Sequence, residues 1–112
     1  MYHTTLSYEK WQSLLLVEQL ANVGSEVERA MIWRAKNQKY MKLALFRALE
    51  LIDLTLKDTK NREGLREITR IREFIVDYFL GSNQYGSSDA FWKRYFMAYT
   101  VASGKNRKLR IL

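Results

Sequence analysis

Few residues in this chain have the chemistry to form a site, and the most conspicuous of them is an arginine on an apolar face. The stretch EITRIREFIVDYFLG, residues 67–81, puts Ile68, Ile75 and Phe79 on one helical stripe at steps of seven and four, with Arg72 inside it. A guanidinium there either closes a buried ion pair or builds a pocket, because a charge left unpaired in apolar surroundings is strongly unfavourable. Glu26 and Asp53, on the flanks of the two preceding helices, are the carboxylates expected to meet Arg72. The Tyr95 or Tyr99 hydroxyl is an alternative acceptor. Both readings of Arg72 stay open at the level of sequence.

Other chemistries lack their parts. The single histidine, His3, precedes the helical region, so neither the Glu-x-x-His pairs of a di-iron bundle nor a serine–histidine pair is expected. There is no cysteine, which removes thiolate catalysis, disulfides and a zinc knuckle and favours a reduced, cytoplasmic setting. GSNQYG follows no strand and lacks the lysine of a phosphate-binding loop. No catalytic residue, metal or cofactor is therefore expected. The longest apolar run, LLLV, is far shorter than the ~20 residues of a membrane span, and the start MYHTTLSYEKWQ has no leader pattern, so a soluble protein is expected.

The elements that must position these residues read as helices. Proline is absent, glycines fall mainly at punctuation points, and three-to-four apolar spacing recurs where alternation does not. A first helix over about 14–37, capped by Ser13, faces Leu16, Leu20, Val23, Val27, Ala30 and Met31 inward, and Gly24 inside it permits close helix contact. A second over about 39–58 buries Met41, Ala44, Leu45, Ala48, Leu49, Ile52 and Leu56. A third spans about 62–80, with Gly81 suited to a left-handed cap. A fourth, about 89–103, starts at Ser88 and carries Phe91, Trp92, Tyr95, Phe96 and Tyr99. A short turn near residues 7–12 lays Tyr8 and Trp11 over one end. The expected fold is all-α, an antiparallel up-down four-helix bundle with a short N-terminal helical turn. It occupies residues 1–104 and is followed by a basic tail, 105–112.

Charge is unevenly placed. Net charge is +7, and the tail residues Lys105, Arg107, Lys108 and Arg110 carry +4 of it, a minor version of a nucleic-acid footprint or a solvated end. Arg66, Arg70, Glu73 and Asp77 fall opposite the apolar stripe of the third helix and read as a solvated face. On the second helix, Leu43, Phe46 and Leu54 lie outward beside Arg47 and Glu50. Apolar residues interleaved with an oppositely charged pair suggest a self-association surface, with Arg47 of one copy near Glu50 of the other.

The segments EQLANVGSEVERA, RALELIDLTL and REFIVDYFLGSNQYGSSDAF, in an all-helical chain of this length, resemble small prokaryotic helical bundles of the HEPN class. That resemblance implies a partner such as a minimal nucleotidyltransferase in a toxin–antitoxin pair. Ribonuclease members of the class carry an arginine followed several residues later by a histidine. Here Asp77 stands where that histidine would be sought, and a carboxylate, with a reference pKa near 4, is poorly matched to donate a proton at neutral pH. Arg72 and Asp77 also face apart, since five residues turn a helix about 140 degrees past a full turn. The chain is thus expected to be a non-enzymatic, homodimeric interaction module that binds a protein partner. The alternative is an RNA-associated HEPN-like protein without a complete ribonuclease motif.

Overall fold

The computed structural model describes residues 8–111, with side chains described through residue 104. All the regular structure is helical: α1 (Tyr8–Gln12), α2 (Leu16–Arg34), α3 (Gln38–Lys57), a 3-10 turn (Thr59–Gly64), α4 (Leu65–Leu80) and α5 (Asp89–Ile111). Among the described residues there is no strand.

The inward stripes read from the sequence form the core. Leu20, Val23, Val27, Ala30 and Met31 of α2, Met41, Ala44, Leu45, Ala48, Leu49 and Ile52 of α3, and Trp92 and Phe96 of α5 are buried, with Leu16 and Leu56 half-buried at its edge. α2 lies in the middle and packs closely along both α3 and α5, whereas α4 rests on α3. Gly24 explains the α2–α5 approach, because a Cβ at that position would come within 2.6 Å of the Phe96 Cβ. Trp11 of α1 is buried in the same core, and the Tyr8 hydroxyl donates to the Lys57 carbonyl at 2.7 Å, so α1 does cover one end of α3.

Several boundaries differ from expectation for local reasons. Ser13 does not cap α2; its hydroxyl donates back to the Lys10 carbonyl at 2.6 Å and closes α1. α2 starts three residues later, where the Glu18 carboxylate accepts the Leu15 N–H at 2.9 Å. It ends at Arg34, and Asn37 caps α3 by accepting the Tyr40 N–H. The turn after α3 winds as a 3-10 segment because Asp58 caps it through the Lys60 N–H. Gly81 is extended, not left-handed; Asn83, at φ 55, takes the left-handed position in that loop. α5 does not stop near residue 103 but continues through the backbone of the basic segment to Ile111.

Candidate functional site

Arg72 has a partner, and the partner is Asp53. Its Nε donates to Asp53 Oδ1 at 2.8 Å and an Nη to Oδ2 at 3.3 Å, a two-pronged pair between α4 and α3. The pair is not buried, since the two side chains remain 36% and 51% exposed. Arg72 sits at the rim of the apolar stripe, where α4 rests on α3, and its head reaches solvent. Neither Glu26 nor the tyrosines join it.

Glu26 is buried instead against its own helix and α3. Its carboxylate lies 3.3 Å from Arg29 and 3.2 Å from Arg47 Nε. This corrects the α3 face as well, because Arg47 is held within its own chain and is not free to reach Glu50 of another copy. Leu54 packs against the core, so it too leaves the expected surface. Leu43 and Phe46 remain exposed, joined by Tyr40, while Glu50 is half-buried. Tyr40 meets Trp33 edge to face at 4.8 Å, and beside them a groove of about 230 Å³ runs between Glu26, Arg29, Trp33, Tyr40, Leu43 and Ala44. The side chains of Lys105, Arg107, Lys108 and Arg110, and all of His3, lie outside the described residues.

Three polar clusters were not foreseen. Where α1, α2, α3 and the 3-10 turn meet, Gln19 Nε2 donates to Asp58 Oδ2 and to the Trp11 carbonyl, both at 2.9 Å, and Asn61 Nδ2 donates to Gln19 Oε1 at 2.8 Å. Trp11 Nε1 donates to Thr55, and Lys60 bonds Asp58. Burial pushes the Asp58 carboxyl up, but the bonds from Lys60 and Gln19 outweigh it and hold it below the usual carboxylate value. Gln19, Thr55, Asp58 and Asn61 are all buried and mutually satisfied, which makes the cluster a clasp between elements.

The second cluster holds the start of α5. Arg34 donates to Asp89 at 2.7 Å and to the Tyr78 hydroxyl at 3.2 Å, and that hydroxyl donates to Asp89 at 2.5 Å. The Arg34 guanidinium also lies over the Tyr78 and Phe79 rings, at 4.7 and 5.3 Å. Burial raises the Asp89 carboxyl, yet the bonds from Tyr78 and Arg34 leave it below its ordinary value. In the third cluster, Tyr95 and Tyr99 of α5 donate to Glu67 of α4 at 2.6 and 3.1 Å. Burial, then the bond to Glu67, drives the Tyr95 hydroxyl well above the usual tyrosine value, so it stays a neutral donor.

A broad opening lies on the face of α4 that reads as merely solvated. A cleft of about 650 Å³ is lined by Arg66, Thr69, Arg70, Glu73, Phe74 and Tyr85, with Leu65 at one end. Tyr85 stacks on Phe74 at 4.2 Å and 14°. Its loop is tightly tied: Asp77 accepts the Gln84 and Tyr85 N–H groups at 2.9 and 3.1 Å, and Asn83 exchanges two bonds with Ser87. Asp77 is therefore a loop clamp rather than a solvated charge. No sequence signal marks Tyr85, because its partner arrives only when the loop folds back.

Among the described residues, no group of three or more histidine, cysteine, aspartate or glutamate side chains is placed to hold a metal ion, and no helix is long and apolar enough to cross a membrane. Comparison with known protein families, curated proteins and solved structures returns no match to this chain.

Proposed function

We propose that this chain is a non-enzymatic interaction module, an antiparallel up-and-down bundle whose two copies pair through the outer face of α3. The observation that carries the reading is the run Tyr40, Leu43 and Phe46, which leaves 46%, 40% and 49% of these side chains exposed on successive turns of one helix. Large apolar groups grouped this way are unfavourable in water and favour a partner surface. The partner we propose is a second copy: in a two-fold arrangement Phe46 of each chain would enter the groove beside Trp33, Tyr40 and Leu43 of the other. Arg29, on the groove rim, keeps the edge polar, as interfaces require. Kinship with HEPN-like bundles, a cytoplasmic setting and a protein partner such as a nucleotidyltransferase belong to the same reading and rest on the sequence pattern.

Sedimentation with circular dichroism tests the pairing. The wild-type chain is expected to be dimeric at micromolar concentration, and Leu43→Asp with Phe46→Asp to give a folded monomer. A monomeric wild type, or a double variant that remains dimeric, overturns the α3 interface.

A further inference from the structure

We propose that the cleft between α4 and the Tyr85 loop binds single-stranded nucleic acid, stacking a base on Tyr85 and holding the adjoining phosphates with Arg66 and Arg70. This goes beyond pairing through α3 and uses neither Arg72 nor the basic tail. The cleft offers the two things a single strand needs from a protein: an aromatic platform and cations beside it.

The platform is prepared in advance. Tyr85 is half exposed, yet its ring is fixed against Phe74 by a 4.2 Å stack, and its backbone is pinned by Asp77. Holding an exposed aromatic ring in this way removes most of the ordering cost of stacking a base on it.

The cations are available. The ion pairs among the described residues engage Arg29, Arg34, Arg47, Lys60 and Arg72, whereas Arg66 and Arg70 have no acidic partner. They stand one turn apart on α4, about 5.4–6 Å along the axis, a step comparable to successive phosphates of an extended strand. Thr69, between them, adds a hydroxyl donor. Glu73 is the one acid in the lining, one turn from Arg70 on the side of Phe74. A carboxylate there accepts from an exocyclic amine on the stacked base, so cytosine is favoured over uracil. Charge and aromatic placement together favour a strand, in which every phosphate is accompanied by a base that can stack, over an acidic peptide, in which a ring stands beside a carboxylate only where the sequence supplies one.

Fluorescence anisotropy with labelled oligocytidine and oligouridine of about ten nucleotides tests this. The full chain is expected to bind oligocytidine more tightly than oligouridine. Tyr85→Ala should weaken binding about tenfold, within the range for losing one stacking ring, while Tyr85→Phe keeps it. Arg66→Gln with Arg70→Gln should lower the logarithmic salt slope by about 1.4, the value for two phosphate contacts on a single strand. Glutamine at Lys105, Arg107, Lys108 and Arg110 should leave the Tyr85 dependence intact.

No binding up to about 100 μM, the weak end of non-specific affinity, overturns the proposal. So does binding that is indifferent to Tyr85→Ala in a protein whose dichroism spectrum is unchanged, or duplex bound as tightly as single strand. Cytidine monophosphate that competes as well per nucleotide as the oligomer overturns the assignment of a strand as the ligand.

Discussion

Glu26 and Arg72 are each half of an ion pair, and burial decides which of them the fold depends on. The Arg72–Asp53 pair bridges α4 and α3 in good geometry, but both heads meet water, which screens the attraction and already solvates either charge alone. Glu26 keeps only 9% of its side chain exposed, and Arg47, which it faces, keeps 28%. Removing Glu26 leaves a partly desolvated guanidinium without its counter-charge. Asp53→Asn is therefore expected to change stability by less than about 1 kcal/mol. Glu26→Ala should cost about 1–3 kcal/mol, below the full buried-pair penalty because Arg47 retains some solvent. Urea denaturation of both variants checks this, and equal losses would contradict it.

The contact between α2 and α5 turns on a missing side chain. Alanine is the better helix former by about 1 kcal/mol, so Gly24→Ala would stabilise an isolated α2. In the folded chain the new Cβ meets Phe96 Cβ at 2.6 Å, Cγ at 2.7 Å and Cδ1 at 2.9 Å. Phe96 Cβ is fixed to the α5 backbone, so the clash is relieved only by moving the helix. Overpacking of this kind costs about 1–3 kcal/mol, enough to outweigh the propensity gain. Gly24→Ala should thus be destabilising alone and neutral or favourable in a Phe96→Gly background, which removes the opposing Cβ, whereas Phe96→Ala keeps that Cβ and relieves only the ring contacts. A thermodynamic cycle in denaturant measures that coupling, and additive effects would show that the close approach is not what requires glycine.

At the scale of the whole molecule, two carboxylates tie separate elements together and are expected to contribute to the response to acid. Asp58 joins α2 to the turn after α3, and Asp89 joins the start of α5 to α2 and α4. Both are held below their ordinary values, despite burial that acts the other way, by the hydrogen bonds they accept. A carboxylate depressed in the folded state contributes stability in full above its unfolded pKa, about 3.9, and loses it as pH falls through the folded value. The thermal midpoint is expected to be level near neutrality and to fall below about pH 4. Asp58→Asn should lower the midpoint at neutral pH and make the acid fall shallower. An unchanged acid limb in that variant would assign the acid sensitivity to other groups.

The sequence by itself determined where helices form and which side of each faces inward. The stripes of α2 and α3, and the Trp92 and Phe96 pair of α5, are legible because helical periodicity is a property of the chain within a few turns. The identity of each polar partner was not legible. Asp53 and Glu26 were equal candidates for Arg72, and the choice fell to the rotation of α4 on α3; the same packing turned Arg47 inward to Glu26. Asp77 looked like a solvated charge until the loop returned to place two backbone N–H groups on it and Tyr85 on Phe74. Such pairings require two segments distant in sequence to meet within about 3 Å, and a shift of one residue in helix register exchanges one partner for another. Apolar burial tolerates such shifts because it has no direction, whereas hydrogen bonds and ion pairs do not. For that reason the core could be read from the chain, and the candidate sites only from the packed molecule.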